Sequence, residues 1–227
     1  MHRVVEPEIL DQLAANDPEA LRSRRDLKRL NWWMRNQTHV ARAITVLPRP
    51  PQTILEIGAG DGTFTLNLLH RIQSTAPRGR ITLLDMKPAI AAATLNAFGN
   101  LGWQPELVTA DLHEWLQQGG ETFDLIFANL FLHHLDDPTL RRIFATCAQR
   151  CRAFIACEPR RWLPSIISTR LLWAIGCSPV TMHDGYASVR AGFRDLELTH
   201  LWPANSPFTT HESDPGWASH LFTATHK

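Results

Sequence analysis

The stretch Ile54-Leu55-Glu56-Ile57-Gly58-Ala59-Gly60-Asp61-Gly62 decides the fold. Its first half is a short apolar run of β type, and its second half sets glycine at every other position. Glycines after a strand and before a helix let the backbone turn sharply and approach a ligand closely. Such a loop alone is a weak signal, because several nucleotide sites use one. The spacing narrows the choice. A dinucleotide loop reads Gly-x-Gly-x-x-Gly, whereas here the third glycine falls one residue early and Thr63 stands in its place. No Gly-Lys-Ser/Thr occurs, which excludes a P-loop. Charge adds a second discriminator. A pyrophosphate would rest on free amides at a helix N-terminus, and Glu56 and Asp61 oppose an anion there. They suit a ligand that carries an ammonium and a sulfonium. Two carboxylates that merely cap the helix or face water are the weaker reading.

From Thr53 onward, short apolar runs alternate with helical segments. Strands are expected at residues 53–57, 80–84, 106–109, 123–128 and 153–157. Helices are expected between them, for example at 88–98 and 138–150, each opened by a proline, with Asp137 placed to cap the second. This alternation predicts an α/β fold, a mostly parallel sheet with helices on both faces. The tail reads as strands 196–202 and 219–225 joined by the turn-rich stretch 203–216, an antiparallel pair closing one edge of a seven-stranded sheet. Residues 1–47 read as helical, with Asp17-Pro18-Glu19 opening a helix on which Ser23, Leu27, Leu30 and Met34 repeat at helical spacing. Arg24, Arg25, Lys28, Arg29 and Arg35 fall on the other faces. They read as a solvated surface in preference to a phosphate or membrane contact. Pro48-Arg49-Pro50-Pro51 ends this segment, giving an N-terminal helical cap at 1–50 and a main domain at 51–227.

Composition bounds the function. The 227 residues suffice for one α/β domain with an appendage, and a net charge of +1 argues against a surface built for nucleic acid. Cys147, Cys151, Cys157 and Cys177 form no Cys-x-x-Cys pair and read as buried free thiols, not as a metal site. The N-terminus lacks the apolar run of a signal peptide, and no segment is long and apolar enough to span a membrane, so a cytoplasmic protein is expected. Eight tryptophans stand against a single tyrosine, Tyr186; most are expected in the core, with some available to line an aromatic acceptor's pocket.

Residues 56–62 resemble motif I of the class I, Rossmann-like S-adenosylmethionine-dependent methyltransferases, an acidic residue followed by x-Gly-x-Gly-x-Gly. The resemblance continues in order. Asp85-Met86 ends the second strand, where the family's acidic residue binds the ribose hydroxyls. Asp111-Leu112 follows the third, where the family places an acid near the adenine amine, and Asn129 ends the fourth. Ala191-Gly192-Phe193 is similar to the family's approach to its C-terminal hairpin. The resemblance implies S-adenosylmethionine as cofactor, held by Glu56, Gly58, Ala59, Gly60, Asp61, Gly62, Asp85, Met86, Asp111, Leu112 and Asn129. No Asp/Asn cluster supports the magnesium site of catechol-type enzymes, so no metal is expected; the reaction expected is methyl transfer to a small hydrophobic acceptor that is phenolic, quinone-like or polyketide-like, with oxygen favoured over carbon. The region 160–190, where such enzymes vary to fit their acceptors, is the expected acceptor lid.

Histidine is the natural base near neutral pH if the acceptor must lose a proton. Leu132-His133-His134-Leu135-Asp136 resembles the Leu-His-x-Trp-x-Asp stretch of plant-type phenolic O-methyltransferases, in which that histidine is the base, with Leu135 in place of tryptophan. His133 is thereby the first candidate, and His134 is expected to act mainly through stability. Two packing or capping histidines fit the stretch equally well. His183 is a further pocket candidate, with Asp184 read as the cap of a helix over 185–191. The apolar run 163–177, bounded by Arg160, Arg161 and Arg170, reads either as a lid over a hydrophobic or lipid-like acceptor or, slightly preferred, as a core helix. Rival readings are an NAD-dependent oxidoreductase, a cofactor-binding partner subunit without activity, and an RNA methyltransferase, the last disfavoured by charge.

Overall fold

The apolar runs at 53–57, 80–84, 123–128 and 153–157 are largely buried on both sides, as parallel strands are when helices cover both sheet faces, whereas 106–109 is mostly exposed. The computed structural model describes residues 2–14 and 16–227. Met1 and Ala15, inside the segment expected to be helical, lie outside them. The elements are, in chain order, α1 (Ile9–Gln12), α2 (Pro18–Met34), α3 (Asn36–Thr45), β1 (Thr53–Ile57), α4 (Thr63–Arg71), β2 (Gly79–Asp85), α5 (Ala92–Asn100), β3 (Trp103–Thr109), α6 (Leu112–Gln117), β4 (Phe123–Asn129), α7 (Asp137–Arg150), β5 (Cys151–Pro159), α8 (Leu163–Thr169), α9 (Pro179–Ala191), α10 (Glu197–Leu201), β6 (Phe208–Ser213) and β7 (Ser219–His226). Short 3₁₀ turns occupy Leu132–His134 and Leu172–Ile175.

The strands form one sheet in the order β3-β2-β1-β4-β5-β7-β6. β1 to β5 are mutually parallel, and β7 runs antiparallel to β5 and β6. The expected α/β class, seven strands and antiparallel C-terminal pair are all present. Strand order jumps between the neighbours β1 and β4, and the carboxyl ends of strands at such a switch point are where open α/β sheets place their ligand crevice. Successive side chains of a strand point to opposite faces. Leu55, Ile57, Ile126 and Phe154 therefore pack with Phe144 of α7 and Leu198 of α10. Ile54, Leu83, Leu125 and Phe127 pack on the other face with Val40 and Ile44 of α3 and Leu68 of α4. α3 is thus part of the sheet's own core.

Several expectations change. Residues 2–8 form no helix, and α1 begins only at Ile9. Residues 88–91 are not helical: Ala89 donates its amide to the Gly60 carbonyl at 2.9 Å, which ties this stretch to the glycine loop, and α5 starts at Ala92. Asp136, not Asp137, caps α7 by accepting from the Thr139 amide at 2.9 Å. Residues 197–201 are helix, not strand. Leu198 and Leu201 are three apart and share a buried helical face, while Glu212 accepts the amides of Leu198 and Thr199. The sixth strand, Phe208–Ser213, lies within the stretch read as turn. Only Trp103 and Trp202 of the eight tryptophans are buried, and four are exposed. All four cysteines are free and buried, as expected.

The end of α9 docks on β5 through Gly192, where a Cβ would stand 2.2 Å from the Pro159 carbonyl oxygen. Gly99 in α5 faces open space. Gly192→Ala should therefore destabilise the protein by about 1–3 kcal/mol through forced backbone movement. Gly99→Ala should stabilise it by about 0.5–1 kcal/mol. Urea midpoints should shift in opposite directions; shifts of the same sign would contradict this account of α9.

Candidate active site at the carboxyl ends of the strands

β1 delivers the glycine loop into the crevice. Gly58, Gly60 and Gly62 have φ of 74°, 57° and 70°, a left-handed backbone that side-chain-bearing residues adopt only with strain. A Cβ on Gly58 would stand 2.4 Å from the Phe131 ring, whereas one on Gly60 would meet nothing within 4 Å. One side of the loop is therefore packed and the other open. The loop is braced from β2: the amides of Gly58 and Ala59 donate to the Leu84 carbonyl, and that of Gly60 donates to Asp85 Oδ2 at 2.8 Å.

Beneath the loop the Glu56 carboxyl is almost wholly buried, and the Thr65 hydroxyl donates to it. Burial raises its pKa to about 8, with Asp85 and Asp61 adding to the rise against the Thr65 hydrogen bond. Asp61 behaves oppositely. Burial pushes its carboxyl up, but hydrogen bonds from Lys28 and Thr63 outweigh that and hold it below the usual range. Lys28 Nζ lies 2.6 Å from Asp61 Oδ2. The basic face of α2 is largely exposed, as expected, but Lys28, half exposed, also reaches the glycine loop through Asp61. Three carboxyl groups thus converge, one of them neutral near pH 7, and an added cation would draw the proton from Glu56.

The other strand-end residues take up distinct positions. Asp85 Oδ1 accepts the Lys87 amide at 2.7 Å, and Met86 is exposed beside it. Asp111 caps α6 by accepting the amides of His113 and Glu114, and Leu112 is buried behind it. Asn129 is bound to the α2–α3 junction: its Nδ2 donates to Asn31 at 3.1 Å and its Oδ1 accepts from Asn36 Nδ2 at 3.0 Å. Leu130 follows with φ 52°, a strained residue directly after β4 whose amide donates to the Cys157 carbonyl.

The histidines divide sharply. His133 is buried, with Nδ1 2.8 Å from Glu158 and Nε2 3.5 Å from Glu8. Burial lowers its pKa, but the two carboxylates outweigh burial and lift it to about 9. Glu158 also accepts the amides of Phe131 and Leu132, which fixes the whole turn. An imidazole that is already protonated and held at both nitrogens is poorly suited to accept a proton. His134 is partly exposed, lies 3.6 Å from Asp11, and is held below the usual pKa by burial and by His133. Its ring centroid is 6.3 Å from that of Phe131, the side chain packed on Gly58. His183 is exposed on α9 and pairs with Asp184 at 3.0 Å. Asp184 does not cap its own helix, which Ser178 does; it accepts the amides of Ile9 and Leu10 and so holds α1 in place.

Glu56, Gly60, Asp61 and Asp85 are thus brought together, with Phe131 packed on Gly58 and His134 one ring further out, while His183 faces outward. Sequence reasoning missed Lys28, Phe131, Glu8 and Glu158. Glu158 alone had a signal, as the acid that ends the apolar strand β5.

Residues 54–153 match the family model described as methyltransferase domain, in agreement with the class I, S-adenosylmethionine-dependent type that the glycine loop resembles. The chain is 30% identical over 106 residues to malonyl-[acyl-carrier protein] O-methyltransferase of Hahella chejuensis, covering 45% of this chain and 35% of that protein. It is 34% identical over 99 residues to trans-aconitate 2-methyltransferase of Escherichia fergusonii, covering 42% and 35%. The matched segment spans about a third of the length of these curated relatives. Over nearly its whole length the fold is similar to that of the plantazolicin methyltransferase BpumL in complex with SAH, with a TM-score of 0.64 and 13% identity, covering 96% of this chain and 94% of that one.

His133 joins the N-terminal segment to the turn after β4, and this clasp is pH-dependent. A histidine raised from 6.5 to about 9 by folding contributes stability that is complete below pH 6.5 and lost as pH rises through about 9. The stability difference between the native protein and His133→Gln should therefore shrink by on the order of 1–3 kcal/mol over that range in urea unfolding. A difference independent of pH would contradict the ion pairs.

Proposed function

We propose that this chain transfers a methyl group from S-adenosylmethionine to an oxygen of a small hydrophobic acceptor of phenolic, quinone-like or polyketide-like type. The observation that carries this reading is the buried Glu56 carboxyl beside Asp61 and Asp85, under a loop whose open side is Gly60. That cradle fits a cationic amino end and opposes a pyrophosphate. Glu56 and Asp61 hold the ammonium, Asp85 with Met86 the ribose, and Asp111 with Leu112 the adenine. The loop from Gly58 to Gly62 and Asn129 flank the methionine end. Bound there, S-adenosylmethionine supplies a methyl group on an electrophilic sulfonium, which leaves the protein to align the acceptor and take up its proton.

His134, neutral and partly open, is better suited than His133 to accept that proton. The relative that modifies malonyl-carrier protein is an O-methyltransferase, which supports oxygen as the target. Residues 160–190 form the acceptor side, with His183 at its rim. Lys28, Asn31 and Asn36 of the N-terminal cap reach the cofactor side. Four buried thiols fit work in a reducing compartment such as the cytoplasm.

Calorimetric titration tests the reading. S-adenosylmethionine should bind and NAD should not. Affinity should rise severalfold from pH 6.5 toward pH 8 as ionising Glu56 becomes easier, and Glu56→Gln should flatten that dependence. Asp85→Ala should weaken binding by about 1.5–3 kcal/mol. With a phenolic acceptor, His134→Ala should lower turnover by about 10²–10⁴ with cofactor affinity retained. Tight NAD binding would overturn the assignment, and an unaffected His134→Ala turnover would remove the base.

A further inference from the structure

Helix α8 is inside out. It buries Ser165 and Thr169 and turns Leu163 and Ile167 to solvent, and Leu171 and Trp173 continue the exposed row. Leu163, Ile167 and Leu171 recur every fourth residue, so one helical stripe is apolar and outward. This overturns the reading of 163–177 as a core helix. Periodicity is present, but the face that meets the protein is the hydroxyl face.

The end of α2 continues the patch, with Trp32 72% and Trp33 53% exposed. The parts are contiguous. Trp33 packs edge-on against Trp217 at 5.8 Å, the Trp217 carbonyl accepts from Trp162 and Ser165, and Arg29 donates to the Ile175 carbonyl. An exposed apolar surface of this breadth is unusual for a protein that works alone in water.

Its charge names the partner. Residues 20–35 hold six basic side chains and one acid, the buried Asp26; of the three basic side chains in residues 160–178, Arg161 is buried on Glu197 and Arg160 pairs with Asp214, which leaves Arg170 on the surface, in a chain whose net charge is only +1. Arg22, Arg25 and Arg29 are exposed on one stripe of α2 that leads to Trp32 and Trp33, and Arg170 is exposed between Ile167 and Leu171. Tryptophan and leucine flanked by arginine is the chemistry of a surface that seats in the headgroup region of an anionic bilayer. Among the described residues no helix is long and apolar enough to cross a membrane, so the contact is peripheral.

We propose that the face built from α2, α8 and the Trp217 turn docks on an anionic phospholipid bilayer. It lies at the carboxyl ends of β4 and β5, and a hydrophobic acceptor dissolved in the membrane would meet the crevice there. The docking itself stands apart from the assignment of methyl transfer.

The test is co-sedimentation with vesicles of phosphatidylcholine, alone or mixed with phosphatidylglycerol, without cofactor or acceptor. Binding is expected only to the anionic vesicles and should weaken with salt. Leu171→Ser with Trp173→Ser should abolish most of it, and Arg25→Glu should reduce it at least about fivefold, the scale of one basic residue near a charged surface. All of these side chains are exposed, so melting temperatures should stay unchanged. No binding to anionic vesicles would overturn the proposal. So would equal binding by the variants, or a dimer in solution that the same substitutions dissociate.

Discussion

A carboxyl group buried beneath three left-handed glycines is the constraint on which the site depends. Glu56 points from a central strand into a space where ionisation is costly, and it shares that space with Asp85 and Asp61. The loop can turn over it only because Gly58, Gly60 and Gly62 accept positive φ, and the β2 end braces the turn through Leu84 and Asp85. The result is a pocket floor short of positive charge. Lys28 meets part of that need from outside, through Asp61. A ligand with a cationic amino end would compete for the same carboxylate, so the cap helix and the ligand are coupled through one group.

The second organising feature is the way the N-terminal segment leans on the strand ends. Arg3 donates to the Leu135 carbonyl at 2.6 Å, Glu8 faces His133, and Asp184 holds the start of α1. The Asn31, Asn36 and Asn129 network pins the α2–α3 junction to β4, and Ser219 ties Asn36 to β7. His133 therefore reads as a structural cation between Glu8 and Glu158. The neighbouring His134 is the less buried ring, 3.6 Å from Asp11 and held below the usual pKa by burial and by His133.

Much of this was legible in sequence. The loop spacing, the acids at strand ends and the alternation of strand and helix are local signals, and the sheet follows from them. The parts that escaped have physical reasons. Lys28 with Asp61 and Glu8 with His133 are contacts between distant segments that no local pattern marks. The run from Leu196 to Trp202 satisfies both a period of two and an i, i+3 face, and its length does not separate them. The apolar row of α8 was visible, but periodicity does not say which face of a helix meets the protein. Of the two adjacent histidines, only the three-dimensional surroundings, Glu158 above all, distinguish the buried cation from the partly open neutral ring.

A crystal structure of the protein with S-adenosylmethionine or its demethylated product tests the central claim most directly. The account predicts the ligand's ammonium within reach of Glu56 or Asp61, directly or through one water, with Lys28 withdrawn from Asp61 and the ribose hydroxyls on Asp85. A ligand seated elsewhere, or one whose amino end faces away from both carboxylates while Lys28 stays on Asp61, would contradict it.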